Sequence, residues 1–559
     1  MKLQRVRIQN FRGHADTSLD FSKHHAIVGP NGSGKTAILE AINYGTSPFY
    51  LSSRLDERDF HNEDLGDIFI GLSFDRPFAL KVADGYTQQH VLSNEIELRV
   101  KRRERAAPRR AFSEPFSISH VCPPLCYDAL PQLTVELPGE LTKDDLPLSL
   151  KTTRSGYELE RKGGKRMSLR WDSLAMSPEI IGLPDVFYFD RDREKETRVG
   201  FNSLFTKIAK DLNWRYRKAW TQADALNRWD QYYSPVIEAV EDKKKGTVLG
   251  PLRETMSKML GVDVSALEIS LLDLEQPFSK SFLSFRDGTN HVGLDGAGSG
   301  VGMLAALLLL EQVSERAGGD LIPLIDEPEM HLHPQLQAAL GHHLRADAAQ
   351  TIVSTHSPLF VDLGNWRGIS RVTGGECAPQ EAVLAASHLG KPLSAHLDEI
   401  PKYHQNETIF SPQDSEMLFA RKLLLVEGPV EKYGLPRLAV VLGLDLSQLT
   451  IVSCNGKSKI PQYDLVARAF GIDAYLLFDL DGKPETDPEN ATICDVAKSR
   501  PAHRLPTSFE ALLGIGANAS QKASKALMCI DAMTTVESIP PEIRDALAAI
   551  SAWAGEANA

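Results

Sequence analysis

The chain has 559 residues, of which 42% are hydrophobic and 24% charged. This fits a globular protein of three or four domains, at about 100–200 residues each, and excludes disordered, collagenous and disulfide-scaffold classes. A formal net charge of −12 restricts any nucleic-acid site to a local patch. The N-terminal MKLQRVRIQNFRGHAD carries no signal-peptide pattern, and the longest apolar stretch, Met303 to Leu310, is too short to cross a bilayer. The expectation is a cytoplasmic protein with no membrane partner.

From Met1, RVRIQNF, TSLDF and HHAIVG alternate as short strands bounded by polar turns. The third leads into Gly29-Pro30-Asn31-Gly32-Ser33-Gly34-Lys35-Thr36, a full G-x-x-x-x-G-K-[ST] loop, and then into the helix-like TAILEAINYG. Backbone N–H groups of Asn31, Gly32 and Gly34 would close around phosphates, Lys35 would reach the β and γ oxygens, and the Thr36 hydroxyl would meet Mg²⁺. Two basic runs follow, Lys101 to Arg110 and Arg161 to Arg170. Each reads either as a solvated face or as a local DNA path.

A candidate helical insertion, Asn202 to Leu260, shows no sustained heptads, so long coiled-coil arms are excluded. Farther on, glycines at 296, 298, 300 and 302 precede the helical pattern of MLAALLLLEQV, so Gly298, Ser299 and Gly300 would make a second anion-binding helix N-terminus. LIPLIDEPEMHLHP reads as a buried strand ending in Asp326, a support for Mg²⁺, and Glu327, a general base toward the attacking water. TIVSTHSPLF is another strand, ending in His356, which is positioned to contact the γ-phosphate.

RIQNFRGH, GPNGSGKT, GAGSG, LIDEPEMHLHP and STHSP together resemble the N-terminal motif, Walker A, signature, Walker B with D-loop, and H-loop of ABC-type ATPases of the RecF/SMC kind. The resemblance implies an ATP-dependent head-to-head dimer, in which the signature of one protomer completes the nucleotide site of the other.

A mixed Gly, Pro and His segment from about Gly364 to Glu416 reads as a linker. Strand and helix patterns then alternate: LLLVEGPVE, LTIVSCNGKSKI and AYLLFDLDGKPE place Glu427, Asp479 and Asp481 at the carboxyl edge of a parallel sheet. Three such acids repel one another unless a hard divalent cation, Mg²⁺ or Mn²⁺, neutralises them. Glu431, four residues after Glu427, lies on the same helix face and would reach a second ion, or else is a surface acid.

This block resembles a Toprim domain, in Glu427, in Gly456 of CNGK, and in the D-x-D of Asp479 and Asp481. A RecF-like ATPase followed by a Toprim domain resembles the overcoming-lysogenization-defect (OLD) family of ATP-dependent nucleases, with Gabija-type nucleases as close relatives. That resemblance implies further ligands at Ser508 and Glu510 in LPTSFEALL, where Ser508 also reads as a helix cap, and a catalytic lysine, Lys525, with Lys522 as the alternative. It also implies ATP with one Mg²⁺, two Mg²⁺ or Mn²⁺ ions in the Toprim site, cleavage of DNA in defence against phages, homo-oligomerisation, and in some members a helicase-like partner protein.

The expected fold is α/β throughout. An ATPase lobe covers residues 1–200, a helical insertion 201–262, the rest of the ATPase 263–375, a linker 376–420, and a Rossmann-like Toprim domain with a parallel sheet 421–559. The expected function is a metal-dependent DNA endonuclease or nickase. The competing readings are an ATP-switched DNA clamp or sensor with a non-catalytic Toprim module, and a Toprim nuclease acting on RNA.

Overall fold

The computed structural model describes residues 1–47, 51–61, 66–84, 87–102, 116–161, 163–171, 174–176, 180–190, 249–260, 268–270, 282–287, 290–293, 302, 304–305, 307–308, 311, 320–330, 332–346, 349–399, 412–516 and 520–555. Gly298, Ser299 and Gly300, most of the expected insertion, and Arg103 to Arg110 of the first basic run lie outside them. No helix among the described residues is long and apolar enough to cross a membrane. The chain divides into two compact units, Met1–Ile27 with Gly34–Thr355, and Val28–Ser33 with His356–Ala559.

In the first unit, β1 (Leu3–Phe11) is a one-sided strand: Val6 and Ile8 are fully buried while Arg5 and Arg7 point out. Those arginines pair with Asp20 and Asp16 of the antiparallel β2 (His14–Asp20). With β3 (His24–Val28) set aside, the meander continues through β4 (Ile68–Asp84), β5 (Thr87–Arg102) and β6 (Phe116–Val121), in the order β2-β1-β4-β5-β6. A three-stranded meander, β7 (Ser149–Thr153), β8 (Gly156–Glu160) and β9 (Arg166–Arg170), carries the second basic run on β9. There Arg166 pairs with Glu158.

The second sheet of this unit is parallel, β10 (Asp185–Phe189), then β14 (Leu321–Asp326), β15 (Thr351–Ser354) and β3, in that spatial order. A small antiparallel sheet, β11 (Glu268–Ser270), β12 (Phe282–Asp287) and β13 (Asn290–Gly293), lies between them in sequence. Every residue of β3, β14 and β15 is buried, which is why these strands read as continuous apolar runs rather than alternating ones. The Pro334–Ala346 helix forms the crossover from β14 to β15.

The second unit begins with a hairpin, β16 (Ile369–Thr373) and β17 (Glu376–Ala378). From β16 the buried Arg371 donates to four backbone carbonyls, those of Leu418, Ala420, Phe470 and Gly471, at 2.8–3.2 Å. A two-residue pair, β18 (Ser387–His388) and β19 (Lys391–Pro392), follows. The main sheet is four parallel strands, β20 (Lys422–Val426), β21 (Leu449–Ser453), β22 (Asp473–Asp479) and β23 (Ala502–Leu505), in the order β21-β20-β22-β23. The chain leaves β20 to one side for β21 and returns to the other for β22. Such a reversal opens a crevice at the carboxyl ends of β20 and β22, where doubly wound sheets bind ligands. Helices Pro429–Leu442, Lys522–Asp531 and Pro541–Gly555 pack a common core that includes Leu424, Leu438, Ile530 and Leu547.

Candidate functional site

Two sets of chemistry-bearing residues are built at the ends of these strands. In the first, the phosphate-loop glycines adopt positive φ, 75° at Gly32 and 104° at Gly34, and Asn31 is exposed. Gly34 is required for a second reason, since a Cβ there would stand 2.6 Å from His14 Nε2. That nitrogen lies 3.0 Å from the Gly34 carbonyl oxygen and donates to it, while the other ring nitrogen meets the Thr17 hydroxyl at 3.0 Å. Lys35 is buried and opens the Lys35–Thr46 helix, whose first turn holds no acidic residue to oppose an anion.

The register of β14 against β15 sets Asp326 beside Ser354. Asp326 is fully buried and accepts hydrogen bonds from the Ser354 hydroxyl and from Thr36 Oγ1, the latter 3.1 Å from both carboxylate oxygens. A threonine hydroxyl and a buried aspartate so paired fit a nucleotide-bound Mg²⁺. Glu327 has φ of 49°, a left-handed conformation that turns the chain at the strand end, and its N–H donates to the Ser354 carbonyl at 2.9 Å. His356 follows β15 and falls in the second unit, where its ring centre lies 6.4 Å from that of Phe419.

In the second unit, the parallel register pairs Val426 with Leu477, so Glu427 and Asp479 leave adjacent strands at the same edge. Glu427 Oε2 is buried and has no hydrogen-bond partner. Glu431, only 5% exposed, is no surface acid: it lies in the first turn of the Pro429–Leu442 helix and accepts from the Gly428 N–H at 3.1 Å. Asp479 is buried and accepts from the Phe509 N–H at 2.8 Å. Asp481, exposed and at φ of 53°, turns back toward the same edge. Ser508 caps the short Phe509–Leu512 helix, accepting from the Ala511 N–H at 3.3 Å, and Glu510 lies in that helix's first turn.

These acids repel one another through a partly dehydrated space. Burial pushes the Asp479 carboxyl up to about 8, with Glu427, Glu431 and Asp481 adding to the shift against the Phe509 hydrogen bond. Burial, with Glu510 and Glu427 nearby, raises Glu431 to about 7. Glu427 is raised as well, by burial and then by Asp481, with Lys457 opposing. Among the described residues, no three His, Cys, Asp or Glu side chains are gathered into a finished metal-binding set. The residues fit divalent ions nonetheless: a buried carboxylate oxygen without a partner and five mutually repelling acids make a hard-cation environment.

Two lysines meet this cluster. Lys522 Nζ lies 3.2 Å from Glu510 Oε2, whereas Lys525, one turn farther along the Lys522–Asp531 helix, is exposed. Gly434 lets that helix approach, because a Cβ there would meet Ile530 Cδ1 at 2.5 Å. Lys457 was not singled out from the sequence. Its ammonium donates to Asp481 Oδ2 at 2.6 Å and to the Asp479 carbonyl at 3.0 Å. The only sequence cue was its place directly after Gly456, at the end of a parallel strand.

Comparison with known proteins finds the same two parts. Residues 5–244 match an AAA domain family, residues 149–362 an AAA domain family described as putative AbiEii toxin, Type IV TA system, and residues 418–481 the family "Overcoming lysogenization defect protein-like, TOPRIM domain". The chain is 25% identical to the OLD nuclease of Thermus scotoductus over 93% of both chains. It is 27% identical to the Old nuclease of Escherichia phage P2 over 30% of this chain and 29% of that one. A solved Smc head bound to the C-terminal winged-helix domain of ScpA aligns over 67% of this chain and 96% of its own, at 15% identity and a TM-score of 0.36.

Proposed function

We propose that this chain, a homologue of the OLD nucleases with an AAA-type ATPase part followed by an OLD-like TOPRIM domain, is an ATP-regulated, divalent-metal-dependent DNA endonuclease or nickase. The observation that carries this reading is the crevice between β20 and β22, where burial and mutual repulsion raise Glu427, Glu431 and Asp479 together. Such a cluster is stabilised by cations, and a phosphodiester is the substrate that brings its own negative charge to a bound cation.

Glu427, Glu431, Asp479, Asp481 and Glu510, with Ser508 beside them, would hold two Mg²⁺ or Mn²⁺ ions. When bound, the metals supply the positive charge that activates water and stabilises the leaving 3′-oxygen. Lys522, drawn to the cluster by Glu510, orients the scissile phosphate, the role for which the family resemblance offered Lys525 first and Lys522 as the alternative. For the nucleotide, Lys35 would bind the β and γ phosphates, Thr36 and Asp326 would hold its Mg²⁺, Glu327 would take the proton of the attacking water, and His356 would contact the γ-phosphate. Gly298, Ser299 and Gly300 complete the site of a second protomer, so the active form is a head-to-head dimer or a larger assembly. In this reading the ATPase occupies residues 1–375 around an insertion at 201–262, and the nuclease 421–559. Its role is defence against invading phage DNA.

The test is incubation of the protein with supercoiled plasmid in Mg²⁺, Mn²⁺ or Ca²⁺ at several ATP levels, with Asp479→Ala as the control. Nicking or linearisation by wild type but not by Asp479→Ala supports the nuclease. DNA binding without cutting under any ion favours an ATP-switched clamp, and cleavage confined to RNA favours the RNA nuclease.

A further inference from the structure

Lys457 is out of place in a site prepared for cations. It is buried, its side chain 10% exposed, and it points from the turn after β21 into the acid-lined crevice. Gly456, at φ of 128°, makes that entry possible, and its N–H is fixed to the Glu427 carbonyl at 2.8 Å. The turn that carries the lysine is therefore tied to the residue that follows β20. Its charge opposes the raised state of Glu427, and its ammonium bridges the Asp479 carbonyl and the Asp481 carboxylate.

The two partners differ in how they are held. The Asp479 carbonyl belongs to the buried end of β22, whereas the Asp481 side chain is 41% exposed and open to solvent. An ion arriving from water meets Asp481 on its free side, and an ammonium and a divalent cation sharing one carboxylate repel each other. The lysine can yield Asp481 without leaving the crevice, because the Asp479 carbonyl remains as an acceptor for its charge.

From this we infer that Lys457 is the resident counter-ion of the acid cluster, and that a divalent ion binds Asp481 in exchange for the Lys457 ion pair. Lys457 is thus a positioning residue that sets how tightly the site takes metal. The inference rests on the metal-site reading above and goes beyond it, assigning the acid cluster a cation of its own.

Isothermal titration of the full chain with Mn²⁺, without nucleotide or DNA, tests the exchange. Lys457→Met should bind Mn²⁺ at least about tenfold more tightly than wild type, since one unit of competing positive charge is gone. Lys457→Arg, which keeps the charge, should stay near wild type. Without metal the melting temperature of Lys457→Met should fall below that of wild type, and saturating Mn²⁺ should close the gap. Lys457→Gln, which keeps a donor without charge, gives the same direction should the methionine variant fold poorly. Binding that depends on Asp479 but is unchanged or weaker in both neutral variants overturns the exchange and leaves the metal site standing. A titration insensitive to Asp479→Ala overturns the metal site itself, and the exchange with it.

Discussion

Asp326 and Asp479 both end parallel strands, yet their surroundings differ in kind. Asp326 is met by the hydroxyls of Thr36 and Ser354, two donors from its own chain. Asp479 has one backbone N–H and otherwise faces like charge, with Glu427, Glu431 and Asp481 pushing it upward. In the proposed reading the first carboxylate assists an ion delivered with a nucleotide, and the second belongs to a group that draws its ions from solution.

The sharpest way to break this comparison is to remove the crowded acids. Asp479→Ala or Glu427→Ala should lower plasmid cleavage by about 10³-fold, because the charge building on the phosphate loses its counter-charge. ATP hydrolysis should persist, as those residues belong to the other unit's chemistry. Loss of ATPase with intact nicking would mean that the two metal sites had been exchanged between the halves of the chain.

On the other side, Glu327→Gln should reduce ATP hydrolysis by about 10²-fold or more while preserving binding of labelled ATP. Lys35→Ala should instead weaken binding itself. Hydrolysis at the wild-type rate in Glu327→Gln removes that residue from the role of base.

A milder probe is acidity. Asp479 and Glu431, raised to about 8 and about 7, lie above the carboxylates of an unfolded chain, at roughly 4. Their contribution to stability is full below the unfolded values and is lost as pH rises through the folded ones. The melting temperature of chelator-treated protein should therefore decline as pH climbs from roughly 4 and level off at about 8, and saturating Mn²⁺ should flatten that decline. A flat profile in chelator would show that the acids are already neutralised from within.

The smallest expected effect concerns DNA affinity. Neutralising basic residues of Lys101 to Arg110 should flatten the slope of log affinity against log salt by about one for each DNA phosphate that no longer meets a cation. Within the described part of that run, Lys101 pairs with Asp67 at 3.1 Å and Arg102 stacks 4.2 Å from the Phe60 ring centre. An unchanged slope would return the run to a solvated face.

The sequence made strand-end chemistry legible because parallel strands buried on both faces stand out as apolar runs, and each ends in a conspicuous acid. Asp326, Glu427 and Asp479 were all found this way. What escaped depends on side-chain direction. Lys522 and Lys525 are three residues apart on one helix, and their spacing alone does not say that Lys522 is the one that reaches Glu510. Lys457 escaped for another reason: one lysine after a glycine has no periodicity, and its meaning comes from Asp481, twenty-four positions away. Glu431 and Ser508 each had a structural alternative. Ser508 does cap a helix, and Glu431 is buried.

Arg371 carries a lesson for anyone who would move the nuclease half into another protein. Its guanidinium, on the β16 hairpin, is the shared donor for carbonyls just ahead of β20 and at the turn before β22. A transplanted piece starting at Arg421 would leave the Phe470 and Gly471 carbonyls without that donor, each at a cost of about 1–3 kcal/mol where water cannot replace it. Recombination between relatives should therefore succeed when the crossover falls ahead of Arg371 and fail within the stretch between Arg371 and β20. The unit of inheritance for this half is longer than its catalytic sheet.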